Sequence, residues 1–144
     1  LSKTSKIRRL DLHDLDQHYM DLLNEFAPVF TTLEEMKRCY LDRSFAGTCP
    51  TFLYLSDCGR PLGSITVQLV DKMIYRQPYA FLDDFIVAEE FRKKGIGKDL
   101  VRHAINYCHN KGCFKIILDC APALEKYYGG FGFYVNGTTM RLDL

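Results

Sequence analysis

The sequence predicts an α/β domain, a central mixed β-sheet flanked by helices on both faces. Three observations predict it. Short runs rich in β-branched and aromatic residues recur along the chain, bounded by glycine, proline and aspartate, as strands ended by turns are. Between them lie segments whose apolar residues recur at steps of three to five, the spacing of one buried helix face. A full helical crossover separates the runs at 81–87 and 113–120, so these two strands lie parallel, whereas hairpin connections elsewhere make antiparallel pairs. The sheet is therefore α+β in character.

The 144 residues are expected to form one domain, residues 1–144, large enough for a proper core. With 47% apolar and 26% charged residues the composition is that of an ordinary soluble globular protein. A formal charge of +1 supplies no global basic field, so nucleic acid is not an expected partner. No apolar run approaches the ~20 residues that cross a bilayer, so no membrane role is expected either. The opening Leu1-Ser2-Lys3-Thr4-Ser5-Lys6 lacks the apolar core of a signal peptide, and the cytoplasm is the expected compartment, a leader upstream being left open. Cys39, Cys49, Cys58, Cys108, Cys113 and Cys120 form no C-x-x-C pair and have no histidine at metal spacing, so free, mostly buried thiols and no metal are expected.

Residues 6–11, with Ile7 and Leu10 among charges, read as a first strand. Asp11 or Asp14 caps a helix reaching about Phe26, with Leu12, Leu15, Tyr19, Leu22, Leu23 and Phe26 on one side. After Pro28, Thr31-Thr32 with Glu34-Glu35 signals the start of a second helix carrying Leu33, Met36, Tyr40 and Leu41, ended by residues 47–50. Strands at 51–56 and 62–70 follow, joined by the hairpin turn Asp57-Cys58-Gly59-Arg60-Pro61. An irregular connection at 72–79 leads to the strand at 81–87.

That strand opens the stretch the chain is organised around. It carries Asp83 and Asp84, then passes through Arg92-Lys93-Lys94-Gly95-Ile96-Gly97-Lys98 into a helix with Ile96, Leu100, Val101, Ala104, Ile105 and Cys108 on its buried face. The first N–H groups of a helix have no intrahelical acceptor, and the dipole is positive there. Gly95 and Gly97 let the backbone approach a ligand that a Cβ would block. The simplest ligand is a pyrophosphate. The helix stops at Lys111-Gly112. The apolar run 113–120 is a buried strand, residues 121–130 hold a brief helix begun by Pro122, and residues 131–135 and 138–144 read as closing strands around Asn136-Gly137.

The loop from Arg92 to Gly97, opening a helix after a strand, resembles the R/Q-x-x-G-x-G/A loop of the GCN5-related N-acetyltransferase (GNAT) superfamily. The later sequence Lys126-Tyr127-Tyr128, leading into Phe131-Gly132-Phe133 after Leu118-Asp119-Cys120, resembles its second hallmark, and the order of elements agrees. Within the superfamily the resemblance is closest to the glucosamine-6-phosphate N-acetyltransferases. It rests on Asp83-Asp84, on the run from Gly112 to Cys120, and on the spacing of Tyr128 to Phe131-Gly132-Phe133. It implies the GNAT fold and acetyl transfer from acetyl-CoA to the amine of glucosamine 6-phosphate, a step toward UDP-N-acetylglucosamine. It also implies an intertwined homodimer with the substrate pocket near the subunit boundary. The chain departs from that family at Asp83, where Glu is usual, at Tyr127, where Phe is usual, and at Gly129-Gly130. Phe26 stands where a small hydroxyl residue meets the sugar phosphate, and Arg141 is displaced, with Asp143 near the family's basic position.

Acetyl transfer needs a held donor, an unprotonated amine, an oxyanion stabiliser and a proton for the thiolate. The resemblance implies that Arg92, Lys93, Lys94, Gly95, Ile96, Gly97 and Lys98 hold the CoA pyrophosphate. It implies that Phe85, Ile86 and Val87 offer backbone hydrogen bonds to pantetheine, a free N–H of Phe85 or Ile86 serving the oxyanion where the flanking strands splay. Asp119 and Tyr128 join this cofactor set, Tyr128 beside the sulfur as a proton donor. For the amine proton the candidates are Asp83, Asp84 and Asp119. Adjacent strand residues face opposite ways, so Asp83 and Asp84 are not expected in one pocket by side chain, and one of them can serve as a cap or in an ion pair. Asp119, at the carboxyl end of its strand, is favoured for orienting the amine or drawing off its proton through water. Lys72, Met73, Ile74, Tyr75, Phe114 and Lys115 match the family's substrate positions together with Asp83, Asp84 and Phe85, and Lys72 and Lys115 suit a phosphate. No nucleophile set is present, so direct attack in a ternary complex is expected. A relative acting on a protein amine or polyamine, and a non-catalytic CoA-binding module, are the competing possibilities.

Overall fold

A computed structural model describes residues 6–144, the side chains of residues 44–46 excepted. The expectation about a leader falls on residues outside the described ones. Five strands form one sheet in the order β1-β2-β3-β4-β5: β1 Ile7–Arg9, β2 Thr51–Leu55, β3 Pro61–Val70, β4 Tyr79–Val87 and β5 Ile116–Ile117. The first four pair antiparallel and β5 joins β4 parallel, as the crossover helix requires. Helices α1 Gln17–Phe26 and α2 Leu33–Ala46 precede β2, α3 Ile96–Asn110 links β4 to β5, and α4 Glu125–Gly129 follows a 3-10 turn.

The chain's local signals explain these elements. Asp16 caps α1 by accepting from the Tyr19 N–H, while Asp11 and Asp14 cap a separate 3-10 turn, Leu12–Asp14, so neither starts the main helix as expected. Thr32 and Glu35 satisfy each other's backbone N–H at the start of α2 at 3.2 and 3.0 Å. At the end of α3, Gly112 sits at φ +75°, the Cys113 N–H reaches the Cys108 carbonyl and the Gly112 N–H that of His109, two bonds that close the last turn.

Two apolar clusters sandwich the sheet. On one face Leu100, Val101, Ala104 and Cys108 of α3 pack on Ile65, Val67, Ala80 and Leu82. On the other, Tyr19 and Leu22 of α1 pack with Leu10, Leu15, Leu53 and Ile86. Helices on both faces are thus borne out, although Phe26 and Leu41 turn to solvent.

Three expectations are corrected. The strand expected over 113–120 pairs only at Ile116 and Ile117, because it diverges from β4 beyond the pair Phe81–Ile117. The closing strands at 131–135 and 138–144 do not form. Gly137 bends the chain at φ +90°, but the segment finds no ladder within the described residues, and Tyr134, Val135, Met140, Leu142 and Leu144 are exposed. The six cysteines are free, yet only Cys108 is buried; Cys39, Cys58 and Cys120 lie on a helix exterior, a hairpin turn and an exposed segment.

One irregularity in β4 shapes everything downstream. Ser64 pairs with Ile86 and Thr66 with Asp83, so two steps along β3 match three along β4, and Asp84 takes the extra place at φ +46°. A left-handed conformation disfavours most side chains, aspartate less than others.

Candidate active site

The bulge overturns the expectation that Asp83 and Asp84 face opposite ways. Asp83 shares a face with Thr66 and accepts from Gln68 Nε2 at 2.8 Å. Asp84 lines a cavity of about 190 Å³ on that same face, with Thr66, Thr51, Tyr19, Tyr40 and Arg43 among its walls. Leu82 belongs to the α3 side and Ile86 to the α1 side, while Phe85 and Val87 pack toward α3. Both carboxylates therefore meet on the α1–α2 face.

The cavity has a polar floor. The Thr51 and Thr66 hydroxyls are 2.7 Å apart, and Arg43 Nη2 donates to the Cys49 carbonyl at 2.9 Å while its Nε is buried without a partner among the described residues. Asp84 lines the cavity while remaining an exposed residue. Burial raises its carboxyl above the ordinary range, the neighbouring Asp83 charge adds to the rise, and Arg43 offsets part of it. Burial pushes the Tyr19 phenol up to about 12, with the Ser64 hydroxyl beside it lowering it in part. Sequence reading missed Tyr19, Tyr40 and Arg43 as neighbours of Asp84, since Tyr19 and Tyr40 fit the apolar helix pattern and Arg43 ends an exposed-looking one.

Beside this cavity the sheet opens. Pairing of β4 with β5 ends at Phe81, and β4 runs on to Val87 with no strand on that side among the described residues. The expected splay is present, and it leaves the Phe85 and Val87 N–H groups on the open side; Ile86, paired with Ser64 two residues before the Ala88 N–H that donates to the Leu62 carbonyl, turns its backbone groups to β3 instead, against the expectation for it.

Below the opening lies the glycine loop. Arg92 Nε donates to the Val87 carbonyl at 3.0 Å and so fastens the loop to the end of β4. Lys93 at φ +62° and Gly95 at φ +86° turn the chain into α3, which has no side-chain cap at its N-terminus. Its first amides are accordingly free for an anion. Lys94 lies over the Phe91 ring at 5.2 Å, and Ile96 is buried, so Ile96 offers its N–H and not its side chain. Gly97 is a cradle that side chains surround. A Cβ there would stand 2.8 Å from Tyr127 Oη and 3.2 Å from Phe85 Cζ. The uncapped amides fit a cofactor diphosphate, whereas the missing Gly97 Cβ, expected to admit a ligand, makes room for the Tyr127 and Phe85 side chains.

Tyr128 packs edge-on against Tyr127 and Phe133, ring centroids 5.1 and 6.1 Å away. Burial pushes its phenol up to about 12, with Tyr127 and Cys120 contributing. Asp119, at the open end of β5, is exposed and accepts from Thr139 Oγ1 at 2.7 Å. The remaining expected substrate residues gather elsewhere. Tyr75 and Phe114 stack at 4.6 Å, Lys72 Nζ lies 5.7 Å and Lys115 Nζ 5.3 Å from the Tyr79 ring, and Met73 and Ile74 project into solvent. Tyr79, unnoticed in the sequence, is the hub of that cluster. It begins β4, five residues before Asp84, about 16 Å at roughly 3.3 Å per strand residue. The lysines thus gather at the start of β4 and the carboxylates lie further along it.

A splayed pair of parallel strands beside an uncapped, glycine-containing helix start defines a class of acyl-transfer proteins. The profile of the acetyltransferase (GNAT) family matches residues 15–133, and the chain belongs to that family, whose members draw acetyl from acetyl-CoA. Glucosamine 6-phosphate N-acetyltransferase 1 of Oryza sativa subsp. japonica is 29% identical over 142 residues, 95% of this chain and 86% of that one. Glucosamine 6-phosphate N-acetyltransferase of Trypanosoma brucei brucei is 28% identical over 96% of this chain and 95% of its own. The crystal structure of glucosamine-6-phosphate N-acetyltransferase from Arabidopsis thaliana superposes with a TM-score of 0.89 at 25% identity, covering 98% of this chain and 99% of that one. Among the described residues no helix is long and apolar enough to cross a membrane, and no group of three or more His, Cys, Asp or Glu could hold a metal.

Proposed function

We propose that the protein transfers acetyl from acetyl-CoA to the amine of glucosamine 6-phosphate. The observation that carries the proposal is the bulge at Asp84. It sets two carboxylates on one face beside the opening of β4, an acidic pair suited to a cationic amine, in a chain whose relatives in rice, trypanosome and Arabidopsis bear that name.

Acetyl-CoA, when bound, supplies an acyl group activated as a thioester. Gly95, Ile96, Gly97 and Lys98 present amides to its diphosphate, and Arg92, Lys93, Lys94 and Lys98 add charge. The backbone N–H of Phe85, on the open side of β4, faces the charge that develops on the acyl oxygen. Asp84 takes the amine proton. A carboxyl lifted by burial is a better base than a free one, which suits this task at neutral pH. Asp83, held by Gln68, keeps negative charge close to the substrate ammonium, and Asp119 orients the amine from the other strand. The nitrogen–carbon bond forms as the carbon–sulfur bond breaks. Tyr128, at about 12, stays protonated throughout the neutral range and donates a hydrogen bond to the departing thiolate. A free thiol titrates near ~8.5, so at neutral pH the released thiolate ends protonated with one of the two protons the ammonium sheds on becoming an amide, while the other leaves through Asp84 to water.

Lys72 and Lys115 are assigned to the sugar phosphate, supplied from a second copy of the chain in a homodimer. Support comes from their gathering around Tyr79, five residues before Asp84, and from the exposed apolar arm carrying Met140, Leu142 and Leu144. A coupled thiol-release assay over a panel of amines tests the substrate. Glucosamine 6-phosphate is expected to give the fastest release, ahead of polyamines and peptides. Faster release with a peptide would overturn the sugar and leave the acyl-transfer chemistry standing; no turnover with any amine would favour a binding module.

A further inference from the structure

Tyr127 stands one residue before the tyrosine assigned to the thiolate, and its hydroxyl has a different address. Its ring packs edge-on against both Tyr128 and Phe131, centroids 5.1 and 5.4 Å away. The far end of the side chain reaches the glycine loop, where Tyr127 Oη occupies the ground above Gly97, 2.8 Å from where a Cβ would be. Among the described residues that hydroxyl forms no hydrogen bond, although it is half-withdrawn from water, and burial accordingly raises its pKa. The residue is 36% exposed, so a ligand arriving from solvent can reach it. Around it lie the uncapped amides that open α3.

We infer that the Tyr127 hydroxyl is a ligand of the cofactor diphosphate, donating a hydrogen bond to an oxygen that the amides of residues 95–98 also hold. The inference rests on acetyl-CoA being the donor. A phenol adds a neutral donor where the loop otherwise has amides and mobile cations, and a neutral donor to a charged oxygen is one of the stronger kinds of hydrogen bond. Phenylalanine fills the same ring space without that donor, so the hydroxyl serves affinity and not packing.

The test is calorimetric titration of the intact protein and of Tyr127→Phe with CoA, beside inhibition by pantetheine, which lacks the diphosphate. Tyr127→Phe is expected to raise the CoA Kd about tenfold, the loss of one hydrogen bond to a charged group. The pantetheine inhibition constant and the melting temperature of the free protein should stay where they were. An unchanged CoA Kd, or equal weakening of CoA and pantetheine, overturns the inference and makes Tyr127 a packing residue. Failure of the unsubstituted protein to bind CoA defeats both the inference and the acetyl-CoA assignment, a result separable from an effect of the substitution alone.

Discussion

Asp84 shows how a single side chain can weaken a fold while serving its chemistry. The folded protein holds the Asp84 proton more tightly than the unfolded chain does, through burial first and the Asp83 charge second. Stability linked to this group is therefore complete below the ordinary carboxylate pKa and is lost as pH rises through the raised folded value. Asparagine stays neutral and avoids that loss. Asp84→Asn should melt about 2 °C higher at neutral pH, a modest gain because the group is partly solvent-screened, and the gain should vanish in acid. Its kcat should fall about 100-fold, as removal of a general base does. Melting curves across pH and thiol-release rates check both halves, and an undiminished kcat would take Asp84 out of proton transfer. The identity of Asp84 as a candidate was legible in the sequence, from a carboxylate pair in an apolar strand. Its direction was not, because strict alternation has no place for an unannounced extra residue, and neither Gly nor Pro flags the bulge.

At the level of elements, the sequence disclosed what depends on local chemistry and hid what depends on distant pairing. Helix α3, its Gly112 stop and the hairpin at Gly59 follow from periodicity and turn residues, and they are where expected. The short β5 and the missing closing strands were invisible, since an apolar run looks the same whether or not a neighbour accepts its hydrogen bonds. The bulge in β4 has a sharper corollary. With Asp84 omitted, Leu82, Phe85 and Val87 would still face α3, and Asp83 and Ile86 would still face α1. Deleting Asp84 should thus leave a regular ladder, a protein that folds and melts no lower than the parent, and turnover at least 100-fold down. Circular dichroism and thiol release decide it; a chain that fails to fold would mean the bulge is needed by the sheet itself.

Taken whole, the chain gathers its lysine pair around Tyr79 at the start of β4 and sets its carboxylates further along that strand, and the proposed homodimer is what would unite them. Chains carrying Asp84→Asn should complement chains carrying Lys72→Ala and Lys115→Ala when the two are coexpressed. Random pairing makes about half the dimers mixed, each with one intact site of two, so roughly a quarter of normal activity should return. No recovery above either parent would confine the whole site to one chain. The overall architecture was readable because it repeats a simple order of strands and helices; the division of the site was not, because no single sequence states what a second copy contributes. The solvent-facing arm from Thr138 to Leu144 then acquires a kinetic meaning. If that arm is the clasp between copies, dilution alone should switch the catalyst off, and its rate per molecule will depend on how crowded it is with its own kind.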